Sequence, residues 1–207
     1  MILERLPGPT FNLLQRNLSF QSWERGSMLM GVGDVEDILF PVAGLVSIVM
    51  SCDSHQVDTA IVGADGAIGL MAGLGAYRSH VSCVVRVPLK ALKIPAGSYR
   101  KLAAEDEALR ALCLQDNENL LAKTRIAAVG YAHNPVVSRF AHLLERTADI
   151  LRTAEIPLTQ ETIAEMLCVR RTSVTEAARD LKKAGIIDYS RGTITILDRP
   201  SLLDLVA

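Results

Sequence analysis

The sequence predicts an α+β protein in two parts, an antiparallel β half followed by a helical half, and three observations predict it. Up to about residue 96, short β-branched runs are separated by glycines and prolines at intervals of roughly ten residues, the spacing of an antiparallel sandwich, roll or barrel. After Pro95 the composition turns to helix formers, with no proline and a single glycine, Gly130, between Ser98 and Ala132. Residues 158 to 197 then hold two short segments of helical periodicity followed by strict alternation around a turn.

In the β half, Val81, Cys83, Val85 and Val87 alternate with His80, Ser82 and Arg86, and Val46, Ile48 and Met50 with Ser47 and Ser51, the period of half-buried strands. Gly26, Gly31, Gly33, Gly44, Gly63, Gly66, Gly69, Gly73 and Gly75 are expected at turns that need positive φ. A long helix is expected from about residue 98 to 132, with an imperfect stripe of Leu109, Leu112, Cys113, Leu120, Leu121, Ile126, Ala127 and Tyr131 interrupted by Asp116, Asn117 and Thr124. Such a helix packs on its own domain or pairs with a second copy of itself. Asn134-Pro135 marks a break, with Asn as cap and Pro at the first helical position, before a helix over roughly 135 to 152 that buries Val136, Phe140, Leu143, Leu144 and Ile150. The expected domains are residues 1–97, a helix over 98–133, and 134–207.

Composition excludes several classes. The 207 residues are 49% apolar and 22% charged, with 22 Lys and Arg against 23 Asp and Glu, as in an ordinary globular protein. The longest apolar stretch, Ile38 to Met50, is broken by Pro41, Gly44 and Ser47 and falls short of the roughly 20 residues that span a bilayer, so no membrane partner is expected. The start, MILERLPGPTF, lacks the order of a signal peptide, and a cytoplasmic location is expected. Cys52, Cys83, Cys113 and Cys168 are far apart with no CxxC pair and read as buried thiols. The four histidines, at 55, 80, 133 and 142, form no chelating pair, so no metal and no cofactor are expected. For haem, His55, His80, Met28 and Met30 are ligands by composition alone. No GxSxG elbow, Walker loop or GxGxxG fingerprint occurs, and the chain does not read as an enzyme.

The strongest signal lies in LTQETIAEMLCVRRTSVTEAARDLKKAGIIDYSRGTITIL. Thr159 caps a short helix whose Ile163, Met166 and Leu167 face inward, Cys168 to Arg170 make the turn, and a second helix, residues 170–184, buries Val174, Ala177, Ala178 and Leu181. This is a helix-turn-helix, and Ile186 to Tyr189 with Thr193 to Leu197 form the hairpin of a wing. The outward positions of the second helix are Arg171, Thr172, Ser173, Thr175, Glu176 and Arg179. An α-helix fits the major groove, where arginine can donate two hydrogen bonds to guanine, glutamate can accept from cytosine, and small hydroxyls reach phosphate. Between residues 170 and 191 six basic residues (Arg170, Arg171, Arg179, Lys182, Lys183, Arg191) face three acids (Glu176, Asp180, Asp188). Duplex DNA is the expected partner. Two alternatives stay open: a protein-interaction module with a degenerate sensor, and a cupin-like small-molecule binder or enzyme, whose mark would be a histidine cluster.

The glycine-punctuated β-roll, the long helix and the segment TIAEMLCVRRTSVTEAARDLKKAGII together resemble the Crp/Fnr family of bacterial transcription regulators, over roughly residues 20 to 200. The resemblance implies a cyclic-nucleotide-binding-like jelly roll, a homodimer paired along residues 106 to 132, a near-palindromic site, and contact with RNA polymerase. It puts Arg171, Thr172 and Glu176 at base-reading positions and Thr159, Gln160, Arg170 and Ser173 at phosphate-contacting ones. Cys168 stands where the family places glycine in the turn, which implies a strained or altered backbone. In the effector region, GADGAIGLMAGLGAYRSHVSC keeps Gly66, Gly69 and the Arg78-Ser79 pair, and Thr124 falls near the family's base-contacting helix position. Gly69, Arg78, Ser79 and Thr124 are thus the candidate effector-binding residues. Leu70 occupies the place of the glutamate that would hold a ribose hydroxyl, so the expected input is an unknown small molecule other than cyclic AMP, or none.

Overall fold

A computed structural model describes residues 1–52, 55–75 and 77–206, the side chains of Cys52 and His55 excepted, so the expectations placed on those two lie outside the described residues. The chain forms two compact units, Met1–Val49 with Ala60–Arg125, and Met50–Thr59 with Ile126–Ala207. The fold is α+β, with an antiparallel sheet first and a winged helix-turn-helix last.

The larger sheet has the order β1 (Ser19–Trp23), β7 (Ser82–Pro95), β4 (Asp37–Cys52), β5 (His55–Val62), with β2 (Met28–Met30) also paired to β7. A second, two-stranded sheet joins β3 (Gly33–Asp34) to β6 (Arg78–Ser79). In β7 the expected alternation holds at Cys83 and Val85, both fully buried. The centre of β4 departs from it: Leu45 to Val49 are all buried, because the Arg86 Nε donates to Ser47 Oγ at 3.0 Å and satisfies the hydroxyl inside the roll.

Of the nine turn glycines, Gly26, Gly33, Gly44 and Gly69 have positive φ and the other five do not. Gly73 is needed for room instead, since a Cβ there would meet Tyr99 Cδ1 at 2.4 Å. A helix that alternation could not reveal, α1 (Gly8–Gln15), precedes the sheet, with proline in its first turn, where the missing N–H costs nothing. Ahead of it Ile2 and Leu3 are buried in the core, and the Ile2 N–H donates to the Ala64 carbonyl at 2.8 Å.

The helix expected from about residue 98 onward is two helices, α2 (Ala96–Glu105) and α3 (Glu107–His133). Asp106 separates them in an extended conformation, φ −121° and ψ 113°. Its carboxylate accepts the Leu109 N–H at 3.1 Å and the Thr10 hydroxyl at 2.8 Å, while Arg110 donates to the Ala103 and Ala104 carbonyls that end α2. Asp caps are strong enough to break a run of helix formers when a tertiary partner holds the carboxylate. Along α3, Leu109, Leu112 and Cys113 turn into the core, and Asp116 is buried with them. The buried thiols are Cys83 and Cys113, which burial pushes up to about 12 and about 11. Cys168 is exposed, contrary to expectation, because its left-handed conformation at a helix end turns the side chain out to solvent.

In the second unit α4 (Val136–Leu151) buries Phe140, Leu143 and Leu144, while Val136 and Ile150 stay partly exposed. Pro135 is its N-cap, one position later than the expected Asn134, because the Asn134 N–H still bonds to the Gly130 carbonyl and finishes α3. There follow β8 (Glu155–Ile156), α5 (Gln160–Leu167), α6 (Arg171–Lys183), β9 (Ile187–Ser190), β10 (Thr193–Ile196) and α7 (Arg199–Asp204), with sheet order β8-β10-β9. Tyr131, at the end of α3, puts its hydroxyl 2.9 Å from the Asp58 carbonyl and 3.0 Å from the Met166 carbonyl, and Arg139 stacks 5.0 Å over its ring. No helix among the described residues is long and apolar enough to cross a membrane.

Candidate nucleic-acid interface

The interface is built on α5 and α6. Thr159 Oγ1 accepts the Thr162 N–H at 3.2 Å, the cap expected of it, and Ile163, Met166 and Leu167 are buried. Cys168 closes α5 with φ 51° and ψ 50°, a left-handed residue that donates its N–H back into the helix end. A cysteine in that conformation carries the steric cost that glycine avoids. After Val169, Arg170 is the N-cap of α6 without a side-chain cap bond, so the first N–H groups of α6 remain donors at its amino end.

One face of α6 is core: Val174, Ala177, Ala178 and Leu181 are buried. The opposite face carries Arg171, Thr172, Thr175, Glu176 and Arg179, all exposed, with Ser173 partly exposed and Arg170 exposed just before it. Thr159 and Gln160 are partly exposed at the start of α5. The structure joins these two groups directly, since Thr175 Oγ1 lies 2.9 Å from Gln160 Oε1 and Arg171 Nη1 lies 3.4 Å from Glu161 Oε2. Glu161 was not legible as part of the site, because nothing in the periodicity of α5 says which residue of α6 it faces.

The wing is a two-residue hairpin turn, with Arg191 at φ 48° and Gly192 at φ 83°, the conformation that matches the twist of its strands. It is tied to the far end of α6 by Lys182, whose ammonium donates to Asp188 at 2.5 Å and lies 4.8 Å from the centre of the Tyr189 ring. Lys182 and the Tyr189 N–H hold the Asp188 carboxyl below its usual range. Among the described residues Arg170, Lys183 and Arg191 are exposed and make no ion pair, which leaves their charge facing solvent.

In the first unit the candidate effector residues are engaged with their own neighbours. Arg78 Nε pairs with Asp34 at 3.3 Å at the surface. The Ser79 hydroxyl is buried, donates to the Val81 carbonyl and accepts the Val81 N–H. Thr124 Oγ1 donates to the Leu120 carbonyl of its own helix at 3.0 Å. At Gly69, φ is 75° and a Cβ would meet the Asp37 carbonyl at 2.9 Å. Leu70 is buried in the core, 3% exposed. Among the described residues no three His, Cys, Asp or Glu side chains could hold a metal ion.

Residues 138–205 match the family model of the Crp-like helix-turn-helix domain. The chain is 24% identical over 196 residues to the global nitrogen regulator of Synechococcus elongatus, covering 89% of this chain and 88% of that protein. Its fold is that of FixK2 from Bradyrhizobium japonicum (TM-score 0.78, 17% identity, 92% of this chain and 98% of that one). It is likewise that of a Crp/Fnr-family transcriptional regulator from Thermus thermophilus (TM-score 0.74, 17% identity, 91% and 98%). Residues 138–205 are thus similar to a Crp-like helix-turn-helix domain that includes the exposed face of α6, and the chain as a whole has the fold of solved Crp/Fnr-type regulators.

Proposed function

We propose that the protein works as a homodimer that recognises a near-palindromic duplex site, with α6 of each protomer in a major groove. The observation that carries this reading is the division of α6: one face is apolar and buried, and the other presents two arginines, two threonines and a glutamate to solvent from its first half onward. Arg171, Thr172 and Glu176 are the base readers, and Thr159, Gln160, Arg170 and Ser173 position the domain on phosphates, with Thr175 and Arg179 along the same face.

The two-fold partner is a second copy packed along α3. That helix leaves Leu114 and Val129 58% and 61% exposed, together with Leu121 and Ile126, an apolar stripe that water alone would cover at a cost. In this reading residues 1–97 are the sensor-like part, 98–133 the dimerisation helix and 134–207 the DNA-binding part. Cyclic AMP is not proposed as the input, because Leu70 offers no carboxylate and Arg78 and Ser79 have partners of their own.

Selection from random duplexes, followed by binding at several salt concentrations, tests the proposal. Two inverted half-sites one helical turn of DNA apart, or a multiple of it, are expected. Failure to enrich any motif at low salt would refute it. Sedimentation of the protein and of Leu121→Lys tests the dimer: the parent sediments as a dimer and the variant as a monomer, and a monomeric parent refutes that part.

A further inference from the structure

The structure assigns to Glu161 the role of a positioning residue that holds Arg171 in the orientation needed to read a base, an inference that rests on the DNA-binding reading above. Glu161 sits in the first turn of α5, next to the buried Thr162, and its carboxylate is exposed on the same side as the outward face of α6. From there Oε2 lies 3.4 Å from Arg171 Nη1, and the adjacent Gln160 meets Thr175, one turn further along α6. Two consecutive residues of α5 thus cross over to two positions, one turn apart, on the outward face of α6.

The chemistry of the guanidinium gives this contact a consequence. Arginine has five N–H donors in a rigid plane, so a carboxylate that engages one nitrogen leaves a second edge free for the two acceptors of guanine. Without that anchor the side chain is a flexible cation that turns as readily to a phosphate. With it, leaving Glu161 for a phosphate strands an acid against the DNA polyanion, and only a base that accepts from the free edge satisfies both groups. The device favours the correct site by penalising the others. In the free protein both side chains are about two-thirds exposed, and a pair of that kind stabilises little. Its effect belongs to recognition and not to folding.

The test uses the full chain in four forms: the parent, Glu161→Gln, Arg171→Ala and the double variant. Each is taken through duplex selection and through competition between the selected site and a non-specific duplex at matched salt. Glu161→Gln is expected to melt with the parent, to lower the ratio of specific to non-specific affinity by about five-fold, the upper range for such a pair, and to broaden the selected motif at one base position. In the Arg171→Ala background the same change should leave the motif and the ratio as they are. If Glu161→Gln shifts both affinities by one factor and leaves the motif unaltered, the carboxylate acts only through its charge and the inference fails, while the DNA-binding reading stands. If the parent itself selects no motif, that reading fails first.

Discussion

Asp116 offers the sharpest quantitative test of the first unit. Its carboxyl lies in the core between α3 and the loop at Gly66-Ala67, with Oδ1 3.3 Å from where a Cβ on Gly66 would stand. Burial raises its pKa to about 6, against the opposing pull of Lys123, the Ala67 N–H and Arg5, while Asp65 adds to the rise. The ordinary value is 3.8, so the folded protein holds a proton there over a range in which the unfolded chain has lost it. Stability is therefore greatest below the unfolded value and falls as pH rises from about 4 to about 6, levelling off above that. A shift of about two units corresponds to a destabilisation of about 3 kcal/mol at neutral pH. Asp116→Asn keeps an oxygen for the Ala67 N–H and deletes the charge. Lys123 retains its 2.7 Å partner, Asp65. The figure of about 3 kcal/mol is already net of the Lys123 attraction, so the variant should be up to about 3 kcal/mol more stable than the parent at pH 7.5 and within about 1 kcal/mol of it at pH 4.5. Urea unfolding followed by the fluorescence of Trp23, the one tryptophan, reports this unit directly. Equal differences at both pH values, or a variant less stable at pH 7.5, would refute the reasoning.

Other substitutions probe the remaining elements. Arg171→Ala should weaken specific binding by about 1 to 3 kcal/mol and relax one base position, read by selection; an unchanged motif removes Arg171 from the base readers. Gly44→Ala, which drives a Cβ to 2.3 Å from the Pro88 carbonyl at φ 98°, should cost about 3 kcal/mol or more by denaturation, whereas Gly97→Ala, in open space within α2, should gain up to about 1 kcal/mol. Tyr131→Phe removes the one hydroxyl shared by the Asp58 and Met166 carbonyls and should cost the second unit about 1 to 2 kcal/mol, measured by hydrogen exchange in α5. Cys168→Gly should raise stability by about 0.5 to 1 kcal/mol by relieving the left-handed residue; a loss in thermal melting would contradict the strain argument.

The helix-turn-helix was legible because its signals are local. Helical spacing marks Ile163, Met166, Leu167, Val174, Ala178 and Leu181 as one buried surface, and a cap, a turn and a glycine stop all act within a few residues of themselves. The same holds for the alternation in β7. By itself the sequence also determined the outward polar face of α6, which follows from the inward one by geometry.

Tertiary structure alone decided where polar groups could be buried or paired, because that depends on partners far along the chain. Ser47 enters the roll because Arg86 reaches it, and the run of helix formers breaks at Asp106 because Thr10, 96 residues away, holds its carboxylate. Asp116, which reads as an interruption of an apolar stripe, goes inside against Ala67, and Glu161 acquires its meaning only when α5 and α6 cross. Periodicity reports the face a residue shares with its neighbours in the chain, whereas the cost of burying a charge or a hydroxyl is set by what stands opposite.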